Sequence, residues 1–110
     1  GDLEIVRDWG WAPEYVEAMW LMLQNPVPED YIIASGRSIS LKTFVMEAFS
    51  AKGLDYEEWV RLDKSFIRRS EIMISQADPS AIRNNLGWYS RSNITEIVYK
   101  MITNGLFHDF

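Results

Sequence analysis

The sequence predicts an α/β fold with more helix than strand. Apolar residues recur at helical spacing along most of the chain, and several of these stretches begin at a capping residue or end at a glycine. Two short apolar runs between turn residues, 3–6 (LEIV) and 31–34 (YIIA), have the character of strands. With 110 residues and 47% hydrophobic content, the chain can bury one core, which predicts one domain.

The first strand leads through Arg7 and Asp8 into a helix with Pro13 near its start. Arg7 is therefore predicted at a strand end beside a helix N-terminus, a place where anions bind. The helix is indicated by apolar residues at helical spacing: Tyr15, Ala18, Met19, Met22 and Leu23.

The second apolar run, residues 31–34, lies between Asp30 and the turn-forming pair Ser35 and Gly36, which predicts a buried strand. A connection that contains a helix and has this length usually joins parallel neighbours. The two strands are therefore predicted to form a small, largely parallel sheet.

The other helices are predicted from their ends. Ser40 is suited to cap a helix that Gly53 ends. A later helix begins after Pro79 and ends at Gly87, and Asn93 is suited to cap the last one.

A second arginine context lies between these helices. Arg68, Arg69 and Glu71 occupy a segment with little apolar periodicity, followed by a strand-like run at residues 72–77. Guanidinium groups bind phosphate oxygens in a bidentate manner. Arg7 and Arg68, on separate irregular segments, could therefore converge on one diphosphate.

Composition and charge exclude several other classes of function. A net charge of −5 argues against a nucleic-acid partner, which would need a basic surface. With no cysteine and the lone His108 near the end, no metal site is expected. No apolar run approaches the roughly 20 residues of a membrane span, and the start lacks signal-peptide features, so no membrane contact and a cytoplasmic location are expected.

Six stretches, in order, resemble one enzyme family: RDWGWAPEYVEAMW, EDYIIASG, SLKTFVMEAFSAKGLD, FIRRSEI, DPSAIRNNLGW and EIVYKMI. The chain resembles the carboxy-terminal part of the GDP-mannose 4,6-dehydratases, which are extended short-chain dehydrogenases/reductases. The first stretch is the most specific, whereas the NNLGW ending is similar across the whole superfamily. The resemblance implies that residues 1–110 form a small C-terminal substrate-binding domain.

The resemblance also implies the parent reaction. A lyase with bound NADP converts GDP-mannose to GDP-4-keto-6-deoxymannose. This chain contains no GxxGxxG or GxGxxG pattern and no Tyr followed four places later by Lys. The NADP-binding domain and the catalytic pair are therefore expected upstream of Gly1, so this part alone is expected to bind GDP-mannose, to bind no cofactor and to be inactive. Its implied partners are the missing N-terminal domain and, in the parent, further copies in a homo-oligomer.

The resemblance assigns three site residues. Arg7 and Arg68 are implied to contact the diphosphate, and Glu71 the nucleoside. The simpler interpretations are a surface Arg7 paired with Asp8 or another nearby acid, a solvated Arg68 and Arg69 pair, and a salt bridge of Glu71 to Arg68 or Arg69. The family pattern RPTE reads RRSE here, and without the rigid proline either Arg68 or Arg69 could bind the phosphate, although the register favours Arg68.

Two alternatives remain open from the sequence. One is a fragment of another nucleotide-sugar enzyme, such as a GDP-4-keto-6-deoxymannose reductase or a UDP-sugar epimerase. The other is a non-catalytic domain whose aromatic surface binds a protein.

Overall fold

The structure, a computed structural model, describes residues 1–105, so that His108 lies outside the described residues. Helix exceeds strand there, as the sequence predicts, and no helix of this part is both long and apolar enough to cross a membrane. The elements, in chain order, are β1 (Val6–Asp8), α1 (Ala12–Gln24), β2 (Ser38–Ser40), α2 (Leu41–Ser50), α3 (Tyr56–Trp59), a 3-10 turn (Lys64–Phe66), α4 (Ser80–Leu86) and α5 (Ile94–Gly105).

The predicted helix ends at Ser40, Gly87 and Asn93 are confirmed, whereas α2 ends at Ser50, before the predicted Gly53. The Ser40 hydroxyl accepts a hydrogen bond from the amide of Thr43 at 3.1 Å, which caps α2. Gly87 ends α4 in the left-handed conformation, with φ of 71°. Asn93 caps α5, because its side-chain oxygen accepts a hydrogen bond from the amide of Glu96 at 2.9 Å.

The sheet differs from the prediction. The first strand is β1, which covers residues 6–8 rather than 3–6, and it pairs with β2 in the antiparallel direction. Arg7 lies opposite Ile39 in this register. The predicted largely parallel sheet is therefore wrong; the only parallel pairing in the described residues is an isolated bridge between Val6 and Ile74.

The predicted strand at residues 31–34 is also wrong, because this segment has no regular secondary structure. Three of its four apolar side chains are nevertheless covered, because Ala34 is buried and Tyr31 and Ile33 pack against the core, whereas Ile32 is 56% exposed. Burial explains these three residues without strand pairing. The chain then reverses at Gly36, whose φ is 76°, and residues 38–40 return along β1.

The core lies between α1 and α4. Ala18, Ile82 and Trp88 are almost completely buried there. The indole nitrogen of Trp88 donates a hydrogen bond to the backbone oxygen of Glu14 at 3.0 Å, which ties the end of α4 to the start of α1. A second helix pair forms where α2 packs against α5.

Candidate functional site

One open cleft, with a volume of about 560 Å³, contains all three predicted site residues, Arg7, Arg68 and Glu71. Arg69 also lines it. The remaining lining residues come from the start of the chain, from α2 and from the segment that follows the 3-10 turn: Gly1, Asp2, Ile5, Leu41, Phe66, Ile67 and Met73.

Pairing on both sides of β1 brings these distant segments together. On one side β1 pairs with β2. On the other, the amide of Val6 donates to the oxygen of Met73 at 2.7 Å, and the amide of Ser75 donates to the oxygen of Val6 at 3.0 Å. The chain that carries Arg68 and Glu71 runs directly into this second pairing, so both side chains arrive beside Arg7.

A short ion pair joins Arg7 to Glu71. The distance from Arg7 Nη2 to Glu71 Oε1 is 2.6 Å, and the two side chains are 27% and 22% exposed. Arg7 Nη1 also donates to the backbone oxygen of Val6 at 2.8 Å. These contacts fix the guanidinium group at the edge of the cleft, and they pair Glu71 with Arg7 rather than with the Arg68 or Arg69 of the simpler interpretation.

Arg68 reaches the same carboxylate more weakly. Its Nε lies 3.9 Å from Glu71 Oε2, and its side chain is 78% exposed. The two oxygens of Glu71 thus face two different arginines. Most of the Arg68 guanidinium group is open to solvent and able to meet a ligand.

The side chains of the cleft make it locally positive. Three arginines and only two carboxylates, those of Asp2 and Glu71, line it, although the whole chain has a net charge of −5. Its chemistry suits an anion with several oxygens, because each guanidinium group presents several N–H donors in a fixed plane.

Asp8 faces away from this cleft, since successive side chains of a strand point to opposite faces. Its carboxylate accepts hydrogen bonds from the amide and hydroxyl of Ser35 at 2.8 and 2.9 Å and from the amide of Gly36 at 2.8 Å. The hydroxyl of Tyr15 donates to it at 3.3 Å. Asp8 therefore anchors the turn before β2, and it is not the partner of Arg7 that the simpler interpretation considers.

Gly10 gives the Tyr15 ring the room it needs, because a Cβ atom there would lie 2.0 Å from the Tyr15 hydroxyl. Burial raises the pKa of Tyr15 to about 12, and the neighbouring Asp8 charge and hydrogen bond act in the same direction. The sequence analysis missed this cluster, since Asp8 and Ser35 are 27 positions apart and no local pattern links them.

The described residues do not fit the NADP that the resemblance implies for the parent enzyme. The turn between β1 and α1 is Trp9, Gly10 and Trp11, whereas a dinucleotide-binding turn needs several glycines to let the pyrophosphate approach the backbone. Within residues 1–105, no group of three or more metal-binding side chains occurs.

Sequence comparisons give one family. The family model for GDP-mannose 4,6 dehydratase matches residues 1–101. The chain is 37% identical to GDP-mannose 4,6 dehydratase 1 of Arabidopsis thaliana over 106 residues, which cover 96% of this chain and 29% of that protein. It is 35% identical to the human GDP-mannose 4,6 dehydratase over 119 residues, which cover 93% of this chain and 32% of that protein.

Solved structures show the same fold at low identity. RMD from Pseudomonas aeruginosa, complexed with NADPH, matches with a TM-score of 0.80 and 14% identity, over 94% of this chain and 33% of that one. UDP-glucose 4-epimerase from Bifidobacterium longum, in complex with NAD+ and UDP, matches with a TM-score of 0.75 and 19% identity, over 92% of this chain and 31% of that one.

The fold is therefore that of a part of the extended short-chain dehydrogenases/reductases. Several families share this fold, and sequence identity distinguishes between them. The UDP-sugar epimerase alternative finds support from fold alone, at 19% identity. The chain spans about a third of the length of the relatives it matches. Because the family model covers nearly all of its sequence, the chain belongs to the GDP-mannose 4,6-dehydratase family.

Proposed function

We propose that this chain is the C-terminal, GDP-sugar-binding domain of a GDP-mannose 4,6-dehydratase. The parent enzyme is then a lyase that converts GDP-mannose to GDP-4-keto-6-deoxymannose with bound NADP. Family membership supports the reaction. The observation that best supports the binding role is that Arg7 and Arg68, which are 61 residues apart in the sequence, line the same cleft.

In this proposal Arg7 and Arg68 bind the diphosphate. Each guanidinium group can donate two parallel hydrogen bonds to phosphate oxygens, which fixes orientation as well as charge. Arg7 is held by its ion pair and backbone contact, whereas Arg68 is mostly exposed and free to adjust. One fixed and one adjustable arginine suit a ligand that enters an open cleft.

Glu71 is proposed to contact the nucleoside. A carboxylate accepts hydrogen bonds from ribose hydroxyls or from the N1 and N2 donors of guanine. The apolar side chains of the cleft, Leu41, Phe66, Ile67 and Met73, offer a surface for the flat base.

The contribution of this domain to catalysis is positional. Binding energy from the GDP portion, far from the reacting carbons, holds the hexose in one place and so lowers the entropic part of the barrier. The reacting groups and the nicotinamide cofactor belong, in this proposal, to the N-terminal domain of the parent. A homo-oligomeric parent in the cytoplasm, without contact to membrane or nucleic acid, completes the proposal.

Calorimetric titration of the chain with GDP, UDP and GDP-mannose tests the binding role. GDP and GDP-mannose should bind and UDP more weakly. Replacing Arg68→Ala should reduce the binding free energy by about 1.5–3 kcal/mol, the value of a charge-assisted hydrogen bond, and Arg69→Ala, the matched control on the next residue, by much less. Equal losses of binding free energy in the two variants would contradict the proposal that Arg68, rather than Arg69, binds the diphosphate.

An activity assay tests the proposed division of labour. Incubated with GDP-mannose and NADP, the chain alone should form no 4-keto product. A keto-sugar signal above that of a boiled control would contradict the proposal that the reacting groups lie in another domain.

A further inference from the structure

A carboxylate lies where the proposed diphosphate would bind. Glu71 Oε1 is 2.6 Å from Arg7 Nη2, and Glu71 Oε2 is 3.9 Å from Arg68 Nε. A phosphate group that contacts both arginines therefore comes close to the Glu71 carboxylate and competes with it for them. This feature bears on which anions the cleft accepts.

We propose that Glu71 is a specificity-determining residue that excludes bare anions such as inorganic pyrophosphate and admits nucleoside diphosphates. The inference rests on the proposed function, because it concerns the same cleft. Pyrophosphate can displace the carboxylate from its arginines but gives it no new hydrogen-bond donor. A nucleoside diphosphate brings its own donors, and these compensate Glu71 for the contacts that it loses.

The position of Glu71 makes this competition effective. Its side chain is only 22% exposed, so a carboxylate that loses its arginine partners without gaining new donors regains only part of its hydration. Without Glu71, the cleft would be lined by three arginines and by one carboxylate, that of Asp2. This excess of positive charge would attract any small polyanion.

The size of the cleft agrees with a larger ligand. A volume of about 560 Å³ exceeds what a pyrophosphate fills, and apolar side chains such as Phe66 and Ile67 line part of it. A nucleoside can occupy this region and reach Glu71 while its diphosphate contacts the arginines. Selectivity then arises from a repulsive element for the wrong ligand together with attraction for the right one.

The test compares the chain with its Glu71→Gln variant, using inorganic pyrophosphate and GDP as probes in calorimetric titrations at fixed ionic strength. Glutamine keeps the shape of the side chain and removes its charge. Pyrophosphate should bind Glu71→Gln about fivefold more tightly, the factor expected when a partly exposed ion pair no longer has to be broken. GDP should gain less or lose affinity, so the preference for GDP should fall.

Three further variants serve as controls. Asp2→Asn removes a charge from the same cleft, and Glu58→Gln removes one from exposed α3; both should change pyrophosphate affinity less than Glu71→Gln does. In an Arg7→Ala background, Glu71→Gln should give no gain, because the competition requires the arginine. Far-ultraviolet circular dichroism of every variant confirms that it is folded.

The outcomes separate this inference from the proposed function. If GDP binds in an Arg7-dependent manner but Glu71→Gln gives no gain for pyrophosphate, the inference is wrong and the diphosphate site stands. An equal gain of pyrophosphate affinity in Glu58→Gln would also overturn the inference, because the change in net charge would then explain the effect. If the unchanged chain binds neither pyrophosphate nor GDP, both the site and the inference are wrong.

Discussion

At the scale of single residues, one buried carboxylate holds the segment at residues 90–92 against the first helix. Glu14, in the first turn of α1, is only 7% exposed. Its carboxylate accepts hydrogen bonds from the Ser92 hydroxyl at 2.7 Å, the Arg91 amide at 3.1 Å and the Ser90 hydroxyl at 3.2 Å. Lys100 donates to the same Ser92 hydroxyl at 2.8 Å, so α1 is linked through one network to α5.

Acid should destabilise the protein through Glu14. Burial acts to raise the pKa of its carboxyl, but the hydrogen bonds from Ser92, Arg91 and Ser90 together outweigh burial and hold the pKa below its ordinary value. The resulting stability is present above the pKa of an unfolded glutamate, about 4.3, and is lost as pH falls through the lower folded-state pKa. Urea unfolding between pH 3 and 7 measures this.

Substitution tests the same network. Glu14→Ala should reduce the free energy of unfolding by about 2–3 kcal/mol, because buried donors lose a charged acceptor, and Glu14→Gln should flatten the acid dependence. Glu17→Gln is the control, since Glu17 pairs with Arg91 on the surface at 2.8 Å and should matter little. Equal effects of the glutamine substitutions at positions 14 and 17 would contradict the assigned role.

Tyr15 gives a second prediction at this scale. Its pKa is raised to about 12 by burial and by Asp8, so its contribution to stability is present below about pH 10, the ordinary tyrosine pKa, and is lost between there and pH 12. Asp8→Asn removes the negative charge and should lower the Tyr15 pKa. Ultraviolet titration of tyrosinate, with Tyr15→Phe to identify the transition, measures the shift; an unchanged alkaline transition would contradict the Tyr15–Asp8 contact.

At the scale of elements, a short strand positions the side chains of the cleft. The strand β1 has three residues, yet it pairs with β2 on one side and with Ile74 on the other. Its alternation sends Arg7 into the cleft and Asp8 toward the Ser35 turn.

The end of α4 provides a test of helix capping. Gly87 has φ of 71°, and a Cβ atom built there would meet nothing within 4 Å. Gly87→Ala should therefore cost about 1 kcal/mol of unfolding free energy from backbone strain alone. Asn84→Ala, at an exposed position within the same helix, should be neutral or slightly stabilising by helix propensity. A neutral Gly87→Ala would show that the helix ends in another way.

At the scale of the whole molecule, an apolar surface of α1 is left uncovered. Val16 is 60% exposed, Met19 53%, Trp20 59% and Leu23 82%. Met19 and Leu23 also line a separate, mostly apolar cleft of about 540 Å³ with Ile33. Apolar surface of this kind favours association.

The chain is therefore expected to self-associate as its concentration rises. Leu23→Glu should shift the sedimentation coefficient toward that of a monomer without loss of stability, since Leu23 is already exposed. Gln24→Glu adds the same charge at the next residue and should leave association unchanged. A wild-type chain that stays monomeric at high concentration would contradict this expectation.

The sequence by itself determined the helices and the family. Helix ends depend on contacts between residues a few positions apart, such as Ser40 with Thr43 and Asn93 with Glu96, so the local pattern contains the information. The family resemblance identified Arg7, Arg68 and Glu71 as candidates, and these three side chains line one cleft. Their binding roles stay predictions that the titrations above will test.

Only the tertiary structure decided the direction of the sheet, the partners of the charged groups and the covered face of α1. Arg7 and Glu71 are 64 residues apart, and Asp8 and Ser35 are 27 apart, so the path of the intervening chain sets these contacts. In the apolar run at residues 31–34 the fold covers Tyr31, Ile33 and Ala34, and burial alone does not require strand pairing. Likewise, helical spacing places Ala18 and Leu23 on one apolar stripe, but packing of Trp88 and Ile82 buries Ala18 and leaves Leu23 exposed.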